Sequence, residues 1–277
     1  MLAQAFPTII PPLTREEAVE VTSIHSAARA LGRGLVGKAP FRAPHHTASY
    51  PAVVGGGTVP KPGEITLAHR GVLFMDELPE YDRSVLEALR EPLESRSITV
   101  SRARGTVTFP AHCILIASMN PCSCGKPRNR GCTCTTAALG AYRRKISGPI
   151  LDRLDIWVGV NKVDYGKMSE RAASSEPSSV IRARVTDARD IQLTRFKRHG
   201  IQKKLNNEMS PQDIERCIVL EEDARKILAA AGQKMQLSGR AFHRVIKVAQ
   251  TISDLEGAQT VRRSHILEAL QYRQKIE

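Results

Sequence analysis

The apolar positions of this chain fall into three patterns, and each predicts a different kind of element. Short unbroken runs come first: VLFM ahead of Asp76, and CILIAS ahead of Met119-Asn120, predict buried strands at 72–76 and 113–118. A third apolar segment, IWVGVNKV, lies at 156–163. Apolar and polar residues alternate through SITVSRARGTVTFPA around Ala103-Arg104-Gly105, which predicts a β-hairpin over 98–109. The helical period appears in TREEAVEVTSIHSAARAL at 14–31, with Thr14 as N-cap, Glu17 as its capping-box partner and Gly32 past the end. A helix also fits 82–95, and the period is clear again in EEDARKILAAAGQKM and GRAFHRVIKVAQTISDL. Residues 40–63 are rich in Pro and Gly, residues 164–178 are a polar linker, and no internal repeat is present. Buried strands alternating with helices, then an all-helical tail, predict an α/β domain over 1–163 and a helical lid over 179–277.

Composition narrows the setting. With 277 residues, 42% hydrophobic and 25% charged, the chain suits one large soluble domain or two modest ones. No apolar run has the length of a membrane span, and MLAQAFPTIIPPLTREE lacks a basic leader and a cleavage pattern, so a cytoplasmic protein is expected. The formal net charge of +13 is spread along the chain and favours a polyanionic partner such as nucleic acid. Six cysteines in such a chain point to metal before disulfides.

The strand at 72–76 runs straight into Asp76 and Glu77, as the catalytic edge of an ATP-hydrolysing sheet does (a Walker B pattern). Asp76 would hold Mg²⁺ and Glu77 would polarise the attacking water; a strand running into a helix cap is the plainer alternative. Asn120 ends the neighbouring strand, where it would reach that water or the γ-phosphate, or else serve as a turn residue before Pro121. In LDRLD, Arg153 suits either a finger into a neighbouring subunit's site or an intrachain pair with Asp152 or Asp155. Arg240 follows the N-cap candidate Ser238 on the unfavourable side of a helix dipole, which an anionic ligand or plain exposure explains. One segment, GRGLVGK at 32–38, matches a phosphate-loop spacing but is rejected. It follows a helix rather than a strand, Ala39 replaces the Mg²⁺-binding hydroxyl, and Pro44 blocks a following helix.

Cys122-x-Cys124 and Cys132-x-Cys134, seven residues apart, suit a closed tetrahedral zinc site, with free or redox thiols as the alternative. Lys126, Arg128 and Arg130 make that loop basic. Cys113 and Cys217 stand alone and are read as packing residues. His45 and His46 point to opposite faces of an extended segment, which argues against a metal pair. Arg102 and Arg104 at the hairpin are candidates for contacts to DNA phosphates, against a solvated charged turn. Nothing suggests a major-groove recognition helix, so base-specific reading is not expected.

Longer motifs carry a resemblance across nearly the whole chain. FRAPHHTASYPAVVGGG, PGEITLAHRGVLFMDELPEYDRSVLEALREPLES, MNPCSCG with GCTC, SGPILDRLDI and LSGRAFHRVIKVAQTISDLEG resemble the magnesium-chelatase-like AAA+ ATPases, ComM/YifB branch. The resemblance implies ATP and Mg²⁺ as cofactors and a hexameric ring. It casts Asp76 and Glu77 as Walker B, Asn120 as sensor 1, Arg153 as the arginine finger and Arg240 as sensor 2. The hairpin over 98–109 would line the ring's pore. Family members carry their Walker A loop just ahead of the stretch that MLAQAFPTIIPPLT resembles. The expectation is therefore a fragment: an incomplete AAA+ parallel sheet without its central strand, without a Lon-like N-terminal domain, and without ATP hydrolysis of its own. The expected function of the intact protein is ATP-driven DNA translocation, as a helicase or in branch migration, during bacterial transformation. Two alternatives stay open: a chelatase-type ATPase acting on a protein partner for metal insertion into a porphyrin, and a non-enzymatic, zinc-stabilised DNA-binding remnant.

Overall fold

The computed structural model describes residues 2–28, 34–102, 105–126, 131–160 and 176–273. Most of the polar linker expected at 164–178, and the Ala103-Arg104 hairpin tip, lie outside the described residues. The chain divides into two compact units, Met1–Arg153 and Leu154–Glu277.

The first unit is built on a parallel sheet in the order β1 (Phe41–Arg42), β4 (Val72–Met75), β7 (Ile114–Ala117). Two short strands, β2 (Gly55–Gly56) and β3 (Lys61–Pro62), form a separate antiparallel pair between them in sequence. A second hairpin, β5 (Ser97–Arg102) with β6 (Gly105–Pro110), precedes β7. In the sheet Val72 pairs with both Phe41 and Ile114, so β4 lies between two neighbours. A strand with neighbours on both edges and packing on both faces needs an unbroken apolar run, and Val72, Leu73 and Met75 are buried. Gly71 is required here: Val72 N–H bonds Pro40 O at 2.8 Å, and a Cβ on Gly71 would lie 2.0 Å from that oxygen. The core gathers Leu73, Met75 and Leu78 with Val85, Leu86, Ile98 and Ile150.

The helix Arg15–Ala27 starts as its sequence predicts: Thr14 Oγ1 accepts from Glu17 N–H, and Glu17 Oε2 accepts from Thr14 N–H. The single helix expected over 82–95 is instead two, Arg83–Ala88 and Arg90–Ser95. Pro92 has no N–H to give to the carbonyl of Ala88, and the helix is interrupted at Leu89. The segment 156–160 is not a strand. Its apolar side chains at Ile156, Val158 and Val160 are exposed, and Trp157 gives its N–H to Tyr272 O at 2.8 Å. No described strand lies alongside it, and without a ladder partner an apolar run has no backbone bonds to make it a strand.

The second unit is helical: Ser178–Arg198, Pro211–Cys217, Glu222–Lys234, Gly239–Leu255 and Arg263–Gln271. Two of these coincide with the helical periods read from the sequence. Phe196, Ile214, Leu228, Val245 and Ile266 form its core. A buried polar set is included: Asp254 pairs with Arg195 and accepts from Asn206 Nδ2 at 2.8 Å and Gln250 Nε2 at 2.9 Å. Burial pushes the Asp254 carboxyl upward while these three partners pull it down. Among the described residues no helix is long and apolar enough to cross a membrane.

Candidate nucleotide site and cysteine cluster

The carboxyl ends of β4 and β7 are where an open α/β sheet places ligands. Backbone bonds clamp these ends together: Ser118 N–H donates to Met75 O at 3.0 Å and Leu78 N–H to Ser118 O at 2.9 Å. Asp76 and Glu77 emerge there, both exposed. The Ser118 hydroxyl donates to Asp76 Oδ1, and the Glu77 N–H reaches the same oxygen at 3.1 Å. Asp76 is thereby oriented by two donors on one oxygen. Glu77 takes φ = 52°, a left-handed conformation that disfavours a residue with a Cβ by about 1–2 kcal/mol. Backbone held in such a region is characteristic of functional sites, because the surroundings must over-determine it. The chain turns at once into Leu78 and Pro79, both buried, which fixes the Glu77 backbone while its side chain faces solvent.

His46 is the partner of that side chain, with Nδ1 3.5 Å from Glu77 Oε2. Its ring also lies edge-on to Tyr81, whose hydroxyl donates to Pro44 O. Burial pushes the Tyr81 phenol up to about 12, so it remains a donor and holds the 44–46 segment against the site. Sequence reasoning gave His45-His46 no place here and passed over Ser118. The available signals were weak: a histidine pair in a Pro-rich segment and a hydroxyl closing an apolar strand.

Asn120 is exposed in the loop beyond β7, two residues past Ser118, and its carbonyl accepts from the Tyr142 hydroxyl at 3.2 Å. Arg153 is 8% exposed; it pairs with Glu94 and donates from Nη1 to Pro149 O at 2.7 Å. Of the two partners nominated from the sequence, Asp155 belongs to the second unit and pairs with Arg244 at 2.5 Å. Arg240 is exposed in the first turn of Gly239–Leu255, and the Ser238 hydroxyl accepts from Ala241 N–H at 3.2 Å as its N-cap. Asp76 and Glu77 follow β4 and Asn120 follows the neighbouring β7, while Arg240 belongs to the second unit. Of the rejected phosphate-loop segment, residues 34–38 are irregular and lead to β1 rather than to a helix; Gly32 and Arg33 lie outside the described residues.

The hairpin β5–β6 turns Ile98 and Val100 into the core and carries hydroxyl pairs on its other face, Thr99–Thr108 at 3.3 Å and Ser101–Thr106 at 3.0 Å. Arg102 ends β5, its side chain lying outside the described residues with all of Arg104.

The loop from Asn120 to Thr135 brings Cys122, Cys124, Cys132 and Cys134 together, their four sulfurs within 4.8 Å of one another. The sulfur of Cys122 is 3.1 Å from that of Cys124 and 3.5 Å from that of Cys132. The Cys122 thiol beside it lowers Cys124 to about 6. Cys113 is pushed up to about 12 by burial, consistent with an inert packing residue.

Residues 1–168 match the family model "Magnesium chelatase, subunit ChlI", and residues 175–273 match "Magnesium chelatase, subunit ChlI C-terminal". Over 277 residues the chain is 41% identical to "Competence protein ComM" of Haemophilus influenzae, covering 100% of this chain and 53% of that protein. It is 42% identical over 274 residues to "Uncharacterized protein YifB" of Salmonella typhimurium, covering 99% and 53%. A more distant match, 25% identical over 228 residues, is "DNA replication licensing factor mcm2" of Schizosaccharomyces pombe, covering 76% and 26%. The chain spans about half the length of the first two relatives.

Proposed function

This chain belongs to the family of the magnesium chelatase subunit ChlI, within its ComM/YifB branch of AAA+ ATPases, and from that premise we propose that it forms part of an ATP-driven motor acting on DNA. The observation that carries the reading is the Asp76–Glu77 pair, one carboxylate oriented by Ser118 and the other set on strained backbone facing His46. The donor set suits Mg²⁺, which takes one or two carboxylates, keeps several waters and is completed by substrate phosphates. Asp76 would hold that ion, which would neutralise charge on the nucleotide's phosphates when bound. Glu77 takes the proton of the attacking water, Asn120 orients that water, and Arg240 meets the phosphates from the helical unit. Arg153 acts on a neighbouring subunit's nucleotide in a hexameric ring, and to do so it exchanges Glu94 for a phosphate. A cytoplasmic location goes with this role.

DNA is the substrate that the charge favours. A net charge of +13 suits a polyanion, and two relatives bear names tied to competence and to DNA replication. In this reading β5–β6 lines the pore and Arg102 and Arg104 touch DNA phosphates, as the motor drives translocation, unwinding or branch migration in transformation. The name of the matching family favours a second reading, a chelatase-type ATPase working on a protein partner. Binding of a version extended to its relatives' length to forked DNA across a salt series separates them. Neutralising Arg102 and Arg104 to Gln should weaken binding alike for all sequences and reduce the salt slope by about 2. No salt-sensitive DNA binding by the unaltered protein would leave the chelatase reading.

Among the described residues no glycine-rich loop leads from a buried strand into a helix, so the proposal places no phosphate cradle in them. Residues 1–277 alone are expected to be inactive as an ATPase.

A further inference from the structure

The four cysteines of the loop between β7 and the helix Thr136–Arg144 have a geometry of their own. A tetrahedral zinc with sulfur at about 2.3 Å sets its ligand sulfurs about 3.8 Å apart. The separations here are 3.1 Å for Cys122–Cys124, 3.5 Å for Cys122–Cys132 and 3.7 Å for Cys124–Cys132, with Cys134 inside the same 4.8 Å cluster. All four approach one another, whereas two disulfides would divide them into two pairs. Apolar packing does not explain the gathering. Of loop residues 121–126 and 131–135, only Cys122 is buried, so the segment has no core of its own to close it. Cys122 donates to Lys126 O at 3.0 Å, a hydrogen bond that closes the first Cys-x-Cys turn while the thiol keeps its proton.

We propose that Cys122, Cys124, Cys132 and Cys134 bind one structural Zn²⁺, and that this ion fixes the segment carrying Asn120. Four soft thiolates in a closed tetrahedral set select zinc over Mg²⁺ or Ca²⁺, which prefer oxygen ligands. Binding replaces thiol protons by the metal, and those protons are released to solvent. The loop leaves β7 through Asn120, two residues before Cys122, and enters the next helix at Thr135, one residue after Cys134. The Thr135 hydroxyl caps that helix by accepting from Ala138 N–H at 3.2 Å. Tyr142, buried on the same helix, returns to bond the Asn120 carbonyl. A cross-link between the two halves of the loop therefore ties Asn120 to the helix through a closed circuit. The metal site stands on its own geometry and does not depend on the nucleotide reading.

Elemental analysis of tag-free residues 1–277, purified without chelator, tests the ion. About one zinc per chain is expected, retained on dialysis and reduced several-fold by Cys124→Ser or Cys134→Ser. After removal of zinc under reducing conditions, Co²⁺ should give the charge-transfer and d–d bands of tetrahedral thiolate coordination. Absence of zinc together with absence of those bands overturns the site, and stoichiometric iron overturns its assignment to zinc. Amide hydrogen exchange on the unaltered chain tests the second part, because it does not require a variant to fold. Zinc removal should speed exchange over 118–126 and 131–142 and leave 211–273 unchanged. Unchanged exchange at 118–126 would show that the ion does not fix Asn120.

Discussion

His46 Nδ1 lies 3.5 Å from Glu77 Oε2, so the second carboxylate after β4 has a side-chain partner from the segment that follows β1. That contact separates a base from a base-positioning group. In a version extended to its relatives' length and supplied with a phosphate-binding loop, Glu77→Gln should keep nucleotide affinity and lower hydrolysis by about 10²–10⁴, because the proton acceptor is gone and Asp76 remains. His46→Ala should reduce turnover less, with little change in KM, and His46→Gln should recover part of the loss by supplying a polar contact. Steady-state hydrolysis and equilibrium nucleotide binding measure both. Near-normal turnover in Glu77→Gln would remove Glu77 from the chemistry.

Arg153 is engaged by Glu94 and by Pro149 O within its own unit, where its motif left open a finger at a subunit edge or an intrachain ion pair. A finger that must first release Glu94 makes two variants diverge. Arg153→Ala should lower turnover by about 10³ or more and also lower Tm, since a buried cation and its packing are lost. Glu94→Gln should leave Arg153 more readily released and preserve hydrolysis. Mixing Arg153→Ala with Glu77→Gln subunits should restore activity if Arg153 works across an interface. Loss of Tm without loss of turnover would make Arg153 purely structural.

How much of this was readable beforehand depended on how local each cause is. The Thr14–Glu17 capping box, the buried run of β4 and the hairpin alternation are set by neighbours in sequence, and all three appear as expected. The break at Leu89 was also local, since Pro92 was in view, but a strong helical period concealed it. Segment 156–160 is apolar yet irregular, because an apolar run becomes a strand only beside another strand. Asp76, Glu77 and Asn120 were legible as strand ends. The contacts of Ser118, His46 and Glu94 were not, because each spans 31 to 59 residues of chain; Ser118–Asp76 spans 42 and Arg153–Glu94 spans 59.

In the helical unit, Lys203 pairs with Asp213 Oδ2, which also accepts from Ser210 N–H and Oγ at 2.7 Å and caps Pro211–Cys217. The Lys203 hydrogen bond holds the Asp213 carboxyl down to about 2, against an ordinary value of 3.8. A depressed folded-state pKa stabilises the fold above the ordinary value, and that contribution fades as pH falls from 3.8 through about 2. After allowance for solvent screening of the partly exposed lysine, the pair contributes on the order of 1 kcal/mol. Lys203→Met should therefore lower stability at pH 7 by about that amount and shrink the difference from the unaltered protein near pH 2. Denaturant melts at both pH values measure it, and a constant difference would show that Lys203 acts through packing alone.

The strongest demand on the proposal falls on residues 1–277 by themselves. Asp76, Glu77 and Asn120 supply a metal ligand, a base and a polar contact, whereas tight phosphate binding needs convergent backbone N–H groups and a lysine. Residues 34–38 do not provide them: they are irregular, and the Val36 N–H is already given to Thr22 Oγ1 at 3.0 Å. Purified residues 1–277 should thus show no hydrolysis above background, and Asp76→Ala should leave that baseline unmoved. If the chain does hydrolyse ATP and Asp76→Ala abolishes it, a phosphate cradle exists within these residues. The rejected GRGLVGK segment would then become its first candidate, and Lys38→Ala would be the variant to assay, because a loop lysine on the phosphates should be as indispensable as Asp76.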